Sequence, residues 1–380
     1  MSVRLRTVES VDGVVRLGWD NGTTSAFHHV WLRDNCLHCR HATTGHRVVE
    51  TSSIAGAAPA SVEISPAGDL LVRWARIGVD EATEHVSVFP LDWLHRHDYS
   101  NGVRRERDQP VLWDASDATA LPAADMASVL ADDAVRLAWM SGFRDRGVAI
   151  LRDVLTVPGT VAYVAGHFGE VRTTGWGTVF DVRAVAGANS VAYTNLPLVT
   201  HTDEAYRDPA PTIQLQHFLL ADAEGGETTL VDGFKVAADL RADHPYLFEL
   251  LTTVAVHFHF RDDANEHEHD APVIELDAAR DVRAIRYSNH SAQPFLLPAE
   301  QMEAYYDAYT TFGGMRESDR YRVTMRLGAG DLYMVDNRRV MHGRTGFRGG
   351  GERHLQSCYI ERDEFMSRLH VLARDQAARG

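Results

Sequence analysis

Apolar and polar positions alternate with two different rhythms along this chain. Up to about residue 98 the rhythm is that of short strands. Residues 15–19 and 24–28 flank Asp20-Asn21-Gly22, a sequence that tolerates the positive φ angles of a tight hairpin. A second pair, residues 61–64 and 70–74, is joined by Ser65-Pro66-Ala67-Gly68-Asp69. Residues 99–122 are polar, include Pro110, and read as a linker. From Asp125 onward apolar residues recur at helical spacing, through Met126, Val129, Leu130, Trp139 and Met140, as far as Arg146-Gly147. The run at 148–151 is short and wholly apolar, the form of a buried strand.

Further helical stretches fall at 161–168, 236–251 and 299–309, interspersed with short strands. Residues 213–218 alternate apolar and polar, as a half-buried strand does. Segments 228–231, 254–258, 282–287 and 332–335 add β content. Many short strands with a few flanking helices predict a mostly β fold, a sandwich or jelly-roll barrel over residues 123–380, rather than a parallel doubly wound sheet. A small β-rich domain over residues 1–98 precedes it.

Composition narrows the chemistry. The 380 residues carry 53 acidic against 38 basic side chains, a net charge of -15, which argues against nucleic acid as a partner. No apolar run approaches the roughly 20 residues of a membrane span, and the N-terminus lacks a signal-peptide core. Three cysteines are too few for a disulfide framework, and a reducing, cytoplasmic setting with no membrane partner is the expectation. Lys235 is the sole lysine and has no glycine-rich context, which argues against a phosphate-binding loop or a Schiff-base mechanism. Twenty histidines leave ample room for a metal site.

The sharpest motif is His201-Thr202-Asp203. Alternate residues of an extended segment project to one side, so this imidazole and carboxylate suit one metal ion. A third donor, His342, follows a strand and turn within Asp336-Asn337-Arg338-Arg339-Val340-Met341-His342-Gly343-Arg344. Two imidazoles and one carboxylate leave three octahedral positions open, the arrangement of non-haem Fe(II) oxygenases, with Zn(II) hydrolysis as the competing chemistry. Arg353 lies eleven residues beyond His342 and offers a bidentate fork for a carboxylate, which the Thr228 hydroxyl could support.

Taken together, these motifs resemble the 2-oxoglutarate-dependent dioxygenases of the taurine dioxygenase type. Val231-Asp232-Gly233-Phe234 and the run 353–372 resemble their γ-butyrobetaine and trimethyllysine hydroxylase branch, and the likeness spans roughly residues 27–372. The resemblance implies a double-stranded β-helix with Fe(II) on His201, Asp203 and His342, and 2-oxoglutarate on Arg353 with help from Thr228. It implies hydroxylation of an unactivated C–H bond by dioxygen, with ascorbate as an accessory reductant, in a homodimer. The implied substrate is a trimethylammonium compound, γ-butyrobetaine giving carnitine, with trimethyllysine or a trimethylammonium phosphonate as alternatives. Trp176, Phe180, Tyr193 and Tyr359 match the family's cage for such a cation, although aromatic rings in a β-barrel are otherwise core. Ser190 stands where γ-butyrobetaine hydroxylases carry an Asn for the substrate's carboxylate, Phe180 replaces a Trp, and Asn289 matches the second carboxamide. A Zn hydrolase and a non-catalytic quaternary-ammonium binder are the competing classes.

Near the N-terminus, Cys36, Cys39 and the later His85 resemble the small Zn(II)-binding domain of the same branch, where three cysteines and a histidine hold the ion. Only two cysteines stand here, which leaves two readings: His38 or His41 completes the tetrahedron, or the site is degenerate. Residues 262–270, which contain His267 and His269, read as a charged, solvated loop.

Overall fold

The Asn21-Gly22 turn joins strands Val14–Trp19 and Thr24–His28 into an antiparallel hairpin in the computed structural model of the chain, with Gly22 at φ 83°. The described residues are 4–75, 85–100, 109–184, 191–348 and 351–379, and they fall into two units, residues 1–107 and 108–380. In the first unit, Leu5–Val11 completes one three-stranded sheet, and Pro59–Ile64, Leu70–Trp74 and Val86–Phe89 form another. Period-two alternation buries Val15, Leu17, Phe27, Val72 and Phe89 in one apolar core. Two buried indoles in that core, Trp19 and Trp74, donate to Ser25 at 2.7 Å and Ser87 at 2.8 Å, so neither N–H is left unpaired.

The second unit is built on two sheets. The larger runs in the order Phe180–Val182, Arg353–Ile360, Ile213–Ala221, Leu332–Asp336, Val148–Arg152, Ala123–Asp125. The smaller runs Leu198–His201, Val340–Arg344, Thr228–Asp232, Val323–Met325. Alternation assigns each strand two buried faces. Val148, Ile150, Tyr333 and Val335 meet Leu230, Val323 and Val340 of the smaller sheet in a shared core. On the other face, Ala149, Leu151, Leu332 and Met334 pack against Trp139, Phe143 and Phe365 from flanking helices. Helices Gly233–Asp243, Pro245–Thr253 and Ala299–Glu317 contribute Val236, Leu240, Leu251 and Phe312 to a third cluster that includes Val231 and Met341 of the smaller sheet. This is the jelly-roll architecture that the strand rhythm predicts.

Several local expectations are corrected. Residues 109–122 pack into the second unit rather than forming a linker: Trp113 is 1% exposed, and its indole donates to the Arg146 carbonyl at 2.8 Å. Residues 101–108 lie outside the described residues. The helix from Asp125 is two helices, Met126–Ala131 and Asp133–Arg146, because Asp132 turns extended and its carboxylate caps the second one. Gly147, in the left-handed region at φ 72°, closes that helix. A comparable break at Pro245 divides the stretch 236–251, since proline disfavours a helical residue before it.

The most instructive correction concerns Ile213–Ala221, a central strand covered on both faces rather than half-buried. Ile213 and Leu215 face the helices, whereas Gln214 and Gln216 are buried on the opposite side. Residues 266–270, read as loop, belong to strand Glu266–Pro272, which pairs with Ala255–Arg261. Imidazole–carboxylate contacts link the two strands of that hairpin, with His257 against Asp270 at 2.7 Å and His259 against Glu266 at 3.1 Å. Among the described residues no helix is long and apolar enough to cross a membrane.

Candidate active site

Strands Leu198–His201 and Val340–Arg344 pair antiparallel with His201 directly opposite His342, which brings the two imidazoles to 4.8 Å between ring centroids. The chain leaves the sheet just after His201, so Asp203 turns its carboxylate across the pair. Asp203 Oδ1 lies 3.2 Å from His201 Nε2 and 3.6 Å from His342 Nε2. The three donor atoms lie within 4.8 Å of one another, as one metal ion requires.

This geometry is fixed by neighbours to which the sequence reading gave no such role. Tyr359 donates its hydroxyl to Asp203 Oδ2 at 2.8 Å, and Gln214 donates to the same oxygen at 2.5 Å. Gln216 donates in turn to Gln214 at 3.0 Å. Asn337, 2% exposed, accepts from the Asp203 amide at 2.7 Å and donates to the Asp203 carbonyl at 3.0 Å. His201 Nδ1 sits 3.0 Å from the Val199 carbonyl, so Nε2 is the nitrogen that faces Asp203. The only signal for the glutamines was their period-two alternation, which reads equally as a face turned to solvent or to a buried polar group.

Electrostatics favour the state a metal needs. Burial alone would raise the Asp203 carboxyl, but His342, His201 and the Tyr359 hydroxyl outweigh it and hold the group well below the usual carboxylate range. Burial lowers the His342 imidazole to about 4, against the opposing pull of Asp203. A carboxylate and a neutral imidazole at pH 7 are the ligating forms.

The triad opens onto a cavity of about 330 Å³. Arg353 and Arg344 both reach it. Arg353 donates through Nε to the Gly226 carbonyl at 3.3 Å and lies over the Phe218 ring, and among the described residues its terminal nitrogens make no hydrogen bond. Gly226 sits at φ 72°, and a Cβ there would meet Arg353 Cδ at 3.0 Å, so glycine is what lets the guanidinium pass. Thr228 lies in register with Arg344, and its buried hydroxyl has no hydrogen-bond partner among the described residues. A free guanidinium fork and an orphaned hydroxyl are the features that 2-oxoglutarate would satisfy. Arg344 is already tied to the carbonyls of Thr194 at 2.6 Å and Val191 at 3.2 Å, so it braces the cavity wall.

Of the proposed cage, Trp176, Phe180, Tyr193 and Tyr359 all line the cavity. Trp176 packs edge-on to Tyr193 at 5.8 Å, and Phe180 tilts against Tyr359 at 5.5 Å. Phe260 and Tyr206, which the sequence reading missed, extend the same wall, with Phe260 at 5.4 Å from Trp176 and Tyr206 at 4.9 Å from Phe260. Asn289 does not line the cavity: the Tyr309 hydroxyl holds its carboxamide oxygen at 2.7 Å, and its neighbours Ser288 and His290 reach the cavity instead. Ser190 lies outside the described residues.

In the first unit, Cys36, Cys39 and His85 form a second three-donor cluster. His85 Nε2 is 3.3 Å from Cys36 Sγ and 3.5 Å from Cys39 Sγ. Neither expected fourth donor joins it. His38 turns its Nδ1 to the Val86 carbonyl at 3.4 Å, and His41 Nδ1 is taken by Thr44. The group beside Cys39 is instead the Arg33 guanidinium, at 3.2 Å.

Residues 6–95 match the gamma-butyrobetaine hydroxylase-like N-terminal family. The chain is 37% identical to a gamma-butyrobetaine dioxygenase of Pseudomonas sp. (strain AK-1), over 97% of this chain and 96% of that one. It is 28% identical to the Homo sapiens gamma-butyrobetaine dioxygenase, with 98% of both chains covered. A trimethyllysine dioxygenase of Meyerozyma guilliermondii is 29% identical, over 96% of this chain and 94% of that one. Residues 114–359, a span that holds the triad, both arginines and the aromatic wall, match the model of one dioxygenase family, and the chain belongs to it: the taurine catabolism dioxygenase TauD, TfdA family.

Proposed function

We propose that this protein hydroxylates γ-butyrobetaine to carnitine, using Fe(II), 2-oxoglutarate and dioxygen. The observation that carries the reading is an aromatic-walled cavity opening onto the His201–Asp203–His342 face, in a chain similar nearly end to end to gamma-butyrobetaine dioxygenases. Iron and 2-oxoglutarate supply the oxidising chemistry when bound, and the chain's own residues supply position. His201, Asp203 and His342 would hold the metal on one face. Tyr359 and Gln214 keep Asp203 Oδ2 occupied, so Oδ1 stays turned toward the imidazoles. Arg353 would take the co-substrate's far carboxylate, with Thr228 beside it. The rings of Trp176, Tyr193, Phe180 and Tyr359 favour a cation that cannot donate hydrogen bonds, and they exclude water from around it.

The likeness to a trimethyllysine dioxygenase supports trimethyllysine as the second substrate to try. The Cys36–Cys39–His85 cluster we assign to Zn(II), because two thiolates and an imidazole suit that ion.

Oxygen consumption and succinate release, measured with Fe(II), 2-oxoglutarate and γ-butyrobetaine, test the reading. The expected result is one succinate per carnitine formed. Absence of succinate with every trimethylammonium acid offered would sink it, and turnover indifferent to removal of 2-oxoglutarate would point to a hydrolase.

A further inference from the structure

Gln214, Gln216 and Phe218 form one row on the face of strand Ile213–Ala221 that turns away from the flanking helices. Successive members of such a row stand roughly 7 Å apart. One end of it reaches the metal site, where the Gln214 amide donates to Asp203 Oδ2 at 2.5 Å. The other end reaches the carboxylate clamp, where the Arg353 guanidinium lies over the Phe218 ring, 5.3 Å from its centre. Gln216 stands between them, 8% exposed, and lines the same cavity as Asp203 and Arg353. A carboxylate only accepts, so Gln214 turns its NH2 group to Asp203 and its oxygen to Gln216. Gln216 therefore answers with an N–H, at 3.0 Å, and among the described residues its side chain makes no other hydrogen bond. Ser357, its partner in register, gives its hydroxyl to the Leu215 carbonyl at 2.9 Å instead. A nearly buried carboxamide at the cavity wall thus keeps one N–H and its oxygen without a protein partner, which is costly unless a ligand meets them.

We propose that Gln216 is a positioning residue that joins the seat of 2-oxoglutarate to the metal ligand Asp203. The inference rests on the co-substrate reaching from the triad to Arg353, and it is independent of which compound is hydroxylated. A molecule spanning those two points passes along the row, and the spare N–H of Gln216 donates to one of its carboxylate oxygens. The other N–H of the same carboxamide holds Gln214, which holds Asp203. Fixing Gln216 therefore restrains Gln214, and an amide whose oxygen accepts a hydrogen bond donates more strongly through its own N–H. Coupling of this kind is reciprocal, so each site tightens the other. An apolar side chain of similar size at this place would fill the same space and carry neither bond.

Calorimetry on the full chain, with Mn(II) in place of iron, reads both links without turnover. In Gln216→Leu the Kd of 2-oxoglutarate for the Mn(II)-loaded chain should rise on the order of tenfold, because a hydrogen bond to a charged group is lost. Without co-substrate, the same variant should bind Mn(II) about threefold more weakly, since Gln214 loses its brace. Gln214→Leu should lose more Mn(II) affinity than that. Adding Gln216→Leu to it should remove no further Mn(II) affinity, because Gln216 reaches Asp203 only through Gln214. Relative to Gln214→Leu, the double variant should still show the loss of 2-oxoglutarate affinity. An unchanged Kd for 2-oxoglutarate in Gln216→Leu would overturn the contact, and losses of Mn(II) affinity that simply add would overturn the link through Gln214. If Gln216→Leu does not fold, Gln216→Met carries the same comparison. Should the unaltered Mn(II)-loaded chain fail to bind 2-oxoglutarate, the co-substrate reading itself fails, an outcome distinct from a failure confined to Gln216.

Discussion

Two clusters of three metal donors stand among the described residues, and they are held in different ways. Cys36 and Cys39 come from a single 3₁₀ turn, closed by the Cys39 amide donating to the Cys36 carbonyl at 3.2 Å, and only His85 arrives from elsewhere in the unit. His201 and His342 face each other across paired strands, and Asp203 is fastened by Tyr359, Gln214 and Asn337. The first cluster is therefore one local turn awaiting a cross-link. The second is a shape imposed by sheet register and by the side chains that hydrogen-bond to Asp203. Donor softness follows the same division: thiolates and imidazole suit Zn(II), whereas imidazoles and a carboxylate with an open face suit Fe(II). A metal should thus act as structure in the first unit and as reagent in the second.

The largest effect expected is on the second cluster. Substituting His201 or Asp203 by alanine should reduce 2-oxoglutarate turnover below detection and empty the site of iron, while the melting temperature changes little. A melting temperature that collapses with the activity would mean the triad is a structural element like its thiolate counterpart.

Acid should expose the same pre-formed shape in the metal-free protein. Burial holds the His342 imidazole at about 4 rather than the ordinary 6.5. Between those values the unfolded chain binds a proton that the native chain refuses, so stability rises with pH across that window and is lost on acidification. The loss is on the order of 3 kcal/mol by pH 4. Asp203, whose carboxyl is held well below its usual range, gives up its own contribution only at lower pH. Urea midpoints of the metal-free protein at pH 7 and pH 4.5 measure this, and His342→Gln should flatten the difference.

The sequence disclosed the donors of both clusters but not what holds them. Spacing alone marks His201-Thr202-Asp203, and the strand–turn–His pattern marks His342, because ligand geometry imposes local periodicity. Gln214 and Asn337 carry no such mark. Their roles depend on which strand lies beside which, and the alternation at 213–218 reads equally well as a solvent face until neighbouring strands cover it. The same limit explains Asn289, whose carboxamide is captured by Tyr309 from a helix 20 residues away. It also explains His38 and His41, which sit at suitable spacing yet turn to Val86 and Thr44. Strand rhythm did predict the jelly roll, since burial on two faces is a property of many residues at once and survives local misreadings.

Loosening the fastening should cost less than removing a donor. Tyr359→Phe deletes one of the two hydrogen bonds to Asp203 Oδ2 and leaves the ring in the cavity wall. Iron affinity should drop by about 10–100-fold, the usual consequence of losing a group that hydrogen-bonds to a metal ligand. Gln214→Leu should act similarly, and the double variant should lose more than either alone. If Tyr359→Phe binds iron normally but raises KM for the substrate, the ring's place in the cage outweighs its hydroxyl.

The smallest effect on catalysis, and the sharpest contrast, should come from the thiolate cluster. Cys39→Ser removes one of its three donors and lies in the unit that does not contain the triad. Bound zinc should fall from about one per chain to well below that, because a thiolate contributes far more to Zn(II) than a hydroxyl does. Since ion binding to such a cluster is folding free energy, the variant's first unit should melt earlier and be cut by protease sooner than the unaltered protein. Turnover per bound iron should nevertheless stay within about twofold, because the strands that set the register of His201 and His342 owe nothing to that cross-link. Equal loss of zinc and of turnover per iron would show that the two clusters are coupled, and the division of labour drawn between them would have to be abandoned.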